Sequence, residues 1–410
     1  MALKFAKKSL GAKVETTPGV DPTISADDSI YTFGFDITPI ESNVVDLEQD
    51  RATLGAARQV SIGNAVSCSF SHYVIGRGTA NAGAPHVKPA YDAVMQGVGM
   101  RGRSQEIKVW AVGDNYLVGD IKTDSGKTFR AIAPSTGATA NNPSSGTNKA
   151  DFWVEIEAHT AGTEFAIGDL TLHGGKVYRA HTAHTAGAGN TPGGVGSATY
   201  WHVYGDSYIY RPDSDDPKTV WLDSNLDGNQ HVLKSARGNL AATFTAGALP
   251  TYQYNYQGFY VDPQRSKGLP YSYANYPDPQ GVTNRDTPNA VLHGQRVVMN
   301  SLSFDLGNVI ERIDEPGSEA IELNNRSISG NVVIEMTKVD DFNWFERIKD
   351  LTTGGLFLQH GKAGNRSEIF APNCTLAPPS IENNASRYML NIPIRFIPRD
   401  GDDDIEIRTL

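Results

Sequence analysis

Residues 61–74 read SIGNAVSCSFSHYV, and residues 328–339 read ISGNVVIEMTKV. Both segments alternate apolar side chains with small or polar ones, which is the two-residue period of a strand that buries one face. The apolar positions are Ile62, Val66, Cys68, Phe70 and Val74 in the first segment and Ile328, Val332, Ile334 and Met336 in the second. We interpret the two segments as one strand of a duplicated fold, with Gly63-Asn64 aligned on Gly330-Asn331.

The duplication extends to both sides of this strand. Upstream, residues 43–46 (NVVD) align with residues 308–311 (NVIE), and in both copies a charged long loop leads into the strand. Downstream, residues 89–95 and 341–348 each predict a short helix, the first begun by proline and the second capped by Asp341.

Each half then closes with a hairpin and one more strand. Residues 220–222 (VWL) align with residues 356–358 (LFL), and the alternating run 252–256 aligns with 388–394. Each half is thus predicted to run strand, long loop, strand, helix, hairpin, strand. Pro393 inside its run indicates an edge strand or a bulge.

A second, shorter repeat interrupts the first half. Gly119-Asp120, Gly126-Lys127 and residues 129–131 (FRA) return as Gly168-Asp169, Gly175-Lys176 and residues 178–180 (YRA), and Asn141, Pro143 and Trp153 return as Asn190, Pro192 and Trp201. Each unit predicts a strand, a tight turn, a second strand, a polar loop and a closing aromatic pair. The insert is therefore predicted to be two small β modules.

The composition limits the classes of protein that fit. With 41 glycines, 22 prolines and 20% charged residues among 410, the chain favours many turns between short strands. A net charge of −10 argues against binding nucleic acid through phosphate contacts, which need lysine and arginine. The N-terminal MALKFAKKSL has no apolar run long enough for a signal peptide, and no run approaches a membrane span, so we expect synthesis in a cytoplasm and no membrane contact.

These observations predict an all-β-dominated fold with a few short helices. It comprises two tandem β-sandwich domains and two small inserted β modules. The predicted boundaries are 1–112 plus 206–263 for the first domain, 113–160 and 161–205 for the modules, 264–296 for an extended connector, and 297–410 for the second domain.

The succession of elements in each half, with residues 16–22 (TTPGVDP) and 37–41 (ITPIE), resembles the major tail tube proteins of long-tailed (siphovirus-type) bacteriophages. The resemblance implies that one sheet of each half joins its neighbours in a ring-shaped barrel around a lumen. Two copies per chain imply three chains per ring, and stacked rings would form a channel in the virion through which DNA passes without specific binding. The resemblance also implies the tail tape-measure, tail-terminator and distal tail proteins as partners, beside the chain itself.

The charged long loops are candidates for contacts between rings or subunits. Their residues are Asp46, Glu48, Asp50, Arg51 and Arg58 in the first copy and Glu311, Arg312, Asp314 and Glu315 in the second. An ordinary solvated loop accounts for the same residues equally well.

The inserted modules resemble the small chitin- and cellulose-binding modules of polysaccharide-degrading enzymes. That resemblance implies an aromatic platform for the sugar rings of a cell-surface glycan, built from Tyr116, Trp153, Tyr178 and Trp201. A module of this size also needs its few aromatic rings for its own core, and we favour that interpretation. In a tail tube the modules are expected on the outer surface. The alternative function is a carbohydrate-binding or adhesin-like protein that acts through the inserted modules.

No motif indicates catalysis. The chain lacks a phosphate-binding glycine loop, a nucleophile elbow, a zinc-ligand pair and a thiol–histidine signature, so we expect no enzyme, no cofactor and no metal site. Cys68 and Cys374 lie in strand-like runs and are expected to be buried free thiols. The histidines of the second module have no counterparts in the first, and we assign them to a solvated loop: His173, His181 and His184. Residues 400–404 (DGDDD) are expected to form a solvated turn rather than a calcium loop.

Overall fold

The computed structural model describes residues 3–50, 52, 55–77, 87–266, 268, 271–362 and 364–410. The described chain is dominated by β-strands and contains three short α-helices, so the predicted fold class is confirmed. Arg51, one of the candidate contact residues, lies outside the described residues.

The insert interrupts the first half after its fifth strand. Before the insert it contains β1 (Lys8–Val14), β2 (Ser29–Ile30), β3 (Phe33–Asp46), β4 (Gln59–Tyr73), α1 (Asp92–Gly97) and β5 (Met100–Gln105). The first module contains β6 (Lys108–Val109), β7 (Asn115–Tyr116), β8 (Ile121–Asp124), β9 (Lys127–Ala131), β10 (Ser135–Thr136), α2 (Lys149–Phe152) and β11 (Trp153–Glu155). The second module contains β12 (Glu164–Phe165), β13 (Leu170–His173), β14 (Lys176–Ala180), β15 (His184–Thr185) and β16 (Trp201–Val203).

After the insert the first half resumes and the second half follows. The remaining strands of the first half are β17 (Ser207–Pro212), β18 (Val220–Leu226), β19 (Asn229–Thr245), β20 (Thr251–Tyr260) and β21 (Gln264–Arg265). The second half contains β22 (Asn289–Leu292), β23 (Gln295–Arg296), β24 (Met299–Asp305), β25 (Val309–Glu315), β26 (Ser318–Asn325), β27 (Ser329–Glu335), α3 (Trp344–Lys349), β28 (Gly354–Lys362), β29 (Asn365–Leu376), β30 (Ser380–Asn384), β31 (Arg387–Ile397) and β32 (Glu406–Thr409).

Eight antiparallel strands form one continuous layer that crosses both halves. The first half supplies β3, β4, β20 and β19 in spatial order, and the second supplies β24, β27, β31 and β29 in the same relative order. The two sets meet where β19 pairs with β24, from Ala241 opposite Asp305 to Thr245 opposite Ser301. The halves are thus joined by backbone pairing within one sheet, which we call the main layer.

A second layer covers the inner face of the main layer. The N-terminal part of β19 leaves the main layer at an irregularity after Lys234 and pairs with β18, which pairs in turn with β1. In the second half β29 makes the same transition to pair with β28, and β28 pairs with β22. The connector is therefore extended only in part, because its residues 289–296 belong to this sheet as β22 and β23.

The core between the layers is rich in tyrosine. Tyr252, Tyr254 and Tyr256 of β20 point inward, where the last two stack on Phe70 of β4. The hydroxyl group of Tyr256 donates to the Val94 carbonyl of α1, and that of Tyr254 lies 3.0 Å from His72 Nε2. Burial of such rings dominates the stability of a core because each removes a large apolar area from water.

Two details of the duplication differ from the sequence interpretation. Gly63 lies at a bulge between β3 and β4 with a φ of 70°, whereas Gly330 pairs regularly with Phe304, so the two Gly-Asn pairs are not equivalent. The α3 helix is capped by Asn343 rather than Asp341, because the Asn343 side chain accepts a hydrogen bond of 3.1 Å from the Glu346 amide. An alignment of two halves of one sequence does not resolve a bulge, nor a helix cap that lies two residues further along.

Candidate functional site

The middle rows of the outer face of the main layer are polar and carry few charges, whereas Arg237 and Glu335 lie in rows nearer its ends. One row of directly opposed residues crosses all eight strands, and none of its members is buried: Phe33, Ser71, Gln253, Ala241, Asp305, Ser329, Arg395 and Thr375. The adjoining row on one side contains Asp36, Ser69, Asn255 and Asn239. The adjoining row on the other side includes Thr251, Thr243, Ser303, Asn331 and Pro393. Across these rows the charged residues are two aspartates and one arginine, and no lysine is present.

The main layer ends in two unpaired strand edges. Among the described strands β3 pairs only with β4, and β30, which continues β29 along the opposite edge, pairs only with β31. Both edge strands carry exposed apolar side chains, Ile40 on β3 at 51% exposure and Ile381 on β30 at 58%. An unpaired edge with exposed apolar residues is a template for pairing with another chain.

The candidate contact residues of the two long loops lie in different kinds of structure. In the first copy Asp46 ends β3, and Glu48, Asp50 and Arg58 lie in the loop that leads to β4. The second copy is not a loop, because Glu311, Arg312, Asp314 and Glu315 lie on β25 in a hairpin closed by the tight turn Pro316-Gly317. Proline followed by a glycine with a φ of 95° is suited to such a turn.

The hairpin of β25 and β26 lies against the first half. A Cβ atom added to Gly63 would come within 2.7 Å of both Arg312 Nη2 and Asp314 Oδ2, so this glycine permits the close approach. Arg237 of β19 donates to the Ile321 carbonyl of β26 at 2.7 Å. The structure thus brings Arg312 and Asp314 of the second candidate set against Gly63 of β4.

The four rings of the supposed sugar platform are buried. Tyr116 and Trp153 belong to the core of the first module, and Tyr178 and Trp201 belong to that of the second. Trp153 Nε1 donates to the Asn141 carbonyl at 2.9 Å, and Trp201 Nε1 donates to the equivalent Asn190 carbonyl at 2.7 Å. The repeated aromatic and asparagine positions are therefore scaffold, and none of these rings presents a flat face to solvent.

The repeated Gly-Asp turn is a docking point in both modules. In each module the glycine has a positive φ, and the aspartate accepts a hydrogen bond from a backbone amide three residues upstream. Arg103 of β5 donates to the carbonyl of Val118, and Arg399, which follows β31, donates to the carbonyl of Ile167. The first module is thus held by the first half, and the second module is held by the second half.

The second module also contributes to a buried ionic cluster with β32. Glu406 forms ion pairs with Arg179 of β14 at 2.8 Å and with Arg211 of β17 at 2.6 Å, and Arg408 pairs with Glu368 at 2.9 Å. Burial alone would raise the pKa of the Glu406 carboxyl, but the neighbouring guanidinium groups outweigh it and lower that pKa to about 2. The repeated Arg179 and the charges of the final strand were both visible in the sequence, but only the fold shows that they meet.

Two histidines of the second module are stacked on the second half. The rings of His181 and His202 lie 4.7 Å and 4.4 Å from the ring of Phe357 in β28. His181 is fully buried, so its assignment to a solvated loop is wrong, whereas His173 is exposed. Burial lowers the pKa of His181 to about 3 and, with Arg179 nearby, lowers that of His202 well below its usual value.

These histidines predict an acid-sensitive contact between the module and the second half. Because their pKa values are lowered in the folded chain, the unfolded chain takes up protons first as the pH falls from 6.5 toward 3. We expect the free energy of unfolding to fall by up to about 1.4 kcal/mol per pH unit for each histidine. His181→Phe should reduce this slope by about one proton in urea unfolding followed at several pH values. An unaltered slope in the His181 variant would contradict the assignment.

Other features of the described chain bear on metals, thiols and membranes. No group of three or more His, Cys, Asp or Glu side chains within the described ranges is placed to hold a metal ion. Cys68 and Cys374 are buried and unbonded, and burial raises the pKa of both thiols. The turn at residues 400–404 is only partly solvated, because Asp402 and Asp404 pair with Arg326 at 3.1 Å and 3.2 Å. None of the described helices has the length and apolar character to span a membrane.

No protein-family model matches the chain, and no curated protein matches it.

Proposed function

We propose that the chain is a structural subunit of a phage tail tube, which assembles into rings through the edges of its main layer. The observation that carries this proposal is the pairing of β19 with β24, which joins two copies of one fold side by side in a single sheet. A joint of the same kind between chains would place β3 of one chain beside β30 and the C-terminal end of β29 of the next. Repetition of the joint around a closed ring leaves no edge unpaired.

Sequence features of the two edges favour a specific joint over open-ended aggregation. Pro39 lies on β3, and Pro378-Pro379 separates β29 from β30. Because proline has no amide hydrogen to donate, backbone pairing is confined to the positions on either side of these residues. With two copies per chain, three chains would give six copies of the fold, the ring size that the resemblance to tail tube proteins implies.

The open face of the main layer has the chemistry expected of a DNA channel. Serine, threonine, asparagine and glutamine dominate its rows, with Asp36 and Asp305 against the single Arg395. Affinity for DNA comes mainly from lysine and arginine that displace counterions from phosphates, so a face of this kind would let DNA slide past. We assign this face to the lumen of the tube.

The insert would then lie away from the lumen. Its two ends emerge from β5 and β17, where Gln105 lies directly opposite Ser207. These strands pair through β32 with the second layer, on the far side of the core from the open face. The resemblance supplies the remaining expectations: a location in the virion, synthesis in the host cytoplasm, and contacts with the tape-measure, tail-terminator and distal tail proteins.

Electron microscopy of the purified protein at high concentration tests this proposal. We expect rings or stacked tubes with a central channel, and no retention of double-stranded DNA by the protein at physiological salt. A compact monomer at every concentration would contradict the proposal, as would tight binding of DNA. Carbohydrate binding through the four aromatic rings of the modules is not proposed, because those rings are buried.

A further inference from the structure

A cavity of about 160 Å³ lies where the two inserted modules meet the second half. Four arginines line it: Arg130 from the first module, Arg179 from the second, Arg211 from β17 and Arg399 after β31. Four guanidinium groups in so small a space repel one another, and each buried group loses its hydration.

Two of these arginines occupy the same position in the repeat. Arg130 and Arg179 are the central residues of the repeated segments FRA and YRA, and the repeated glycines Gly119 and Gly168 also line the cavity. The two modules thus face each other across the cavity through equivalent residues. The cavity arises from the repetition of the module, and neither module forms it alone.

Three carboxylates line the cavity against its four arginines, so one positive charge is in excess. Glu406 is shared by Arg179 at 2.8 Å and Arg211 at 2.6 Å, and Asp400 is paired with Arg399 at 3.1 Å. Asp403 accepts hydrogen bonds from the backbone amides of residues 399 and 400.

Arg130 has no carboxylate partner among the described residues, and its Nε is enclosed without a hydrogen-bond acceptor. Arg179 is 3% exposed, and its Nη2 likewise lacks an acceptor within the described chain. A buried donor on a charged group that finds no acceptor is costly, and native proteins seldom leave one empty.

We propose that this cavity binds a small oxyanion between Arg130 and Arg179. An oxyanion would pair with the guanidinium groups of Arg130 and Arg179, and its charge would offset the one positive charge in excess of Asp400, Asp403 and Glu406. The volume admits an inorganic phosphate or sulfate, or the acid group of a uronic acid. Bound there, the anion bridges the two modules to the second half.

Isothermal titration calorimetry with phosphate, sulfate and glucuronate distinguishes an inorganic anion from an acidic sugar as the ligand. Glucose, which is neutral, serves as the control ligand. We expect saturable binding of at least one anion, weakened about tenfold or more in Arg130→Gln, since a charge-assisted hydrogen bond is lost. Arg130→Lys keeps the charge and should retain part of the affinity. Arg101→Gln removes an exposed charge of β5 outside the cavity and should bind as the unaltered chain does.

Phosphate and sulfate stabilise many proteins by exclusion from their surface, so a rise in melting temperature alone is not diagnostic. The proposal is overturned if none of the three anions binds saturably, or if Arg130→Gln binds with unchanged affinity. Selective binding of glucuronate over phosphate and sulfate would identify an acidic sugar as the ligand. The binding result does not depend on ring assembly, because the cavity is formed within one chain.

Discussion

Replacing Ile40 and Ile381 together by lysine is expected to abolish ring assembly and to leave a folded monomer. Both isoleucines are exposed on edge strands of the main layer, so the change removes apolar area from each side of the proposed joint. It also places like charges on the two edges that must meet, and lysine on an edge strand opposes pairing with a second chain. Size-exclusion chromatography with light scattering should show a single 44.3 kDa species.

A matched control separates the edges from a general effect of surface charge. Val339 and Leu351 are as exposed as the two isoleucines, at 55% and 65%, but lie on the segments that flank α3 rather than on an edge strand. Val339→Lys with Leu351→Lys should therefore assemble as the unaltered chain does. Assembly of the edge variant, or loss of assembly in the control, would contradict the proposal that the chains join through these edges.

Glu406→Gln is expected to lower the free energy of unfolding by about 3 to 5 kcal/mol, the usual cost of breaking a buried ion pair by removing one partner. The change leaves Arg179 and Arg408 buried with one carboxylate fewer between them, and both side chains are almost completely enclosed. Urea unfolding of the variant at pH 7 measures the loss.

The control for this change is Glu335→Gln, which removes a surface ion pair with Arg387 at 3.1 Å. An exposed pair of this kind contributes about 1 kcal/mol or less. Because the pKa of Glu406 is lowered in the folded chain, its contribution is complete above pH 4.5 and is lost as the pH falls toward about 2. An equal effect of the two substitutions, or a difference that persists at pH 2, would contradict the role given to Glu406.

The fold class could be predicted from sequence because alternation of apolar residues is a local signal. The runs at residues 66–70 and 252–256 bury alternate side chains as their period indicates, and both lie in the main layer. The tandem repeat was equally clear, since turn glycines and tryptophans recur at nearly constant spacing.

What could not be predicted depends on contacts between distant segments. His181 looks like a loop residue in sequence, and its burial follows only from Phe357, which lies far along the chain. Glu406 alternates with Ile405 and Ile407 in sequence, but its side chain is buried because Arg179 of the second module and Arg211 of β17 meet it there. The repeated arginines looked like ordinary strand residues until the two modules were placed around one cavity.

A cryo-electron microscopy map of the assembled protein tests the central claim most directly, because it shows which strands of neighbouring chains are adjacent. We expect rings of three chains. In each ring β3 of one chain lies beside β30 and the C-terminal end of β29 of the next, and the face bearing Gln253 and Ser303 lines the channel. A ring closed through the inserted modules, or one whose channel is lined by another face, would contradict it.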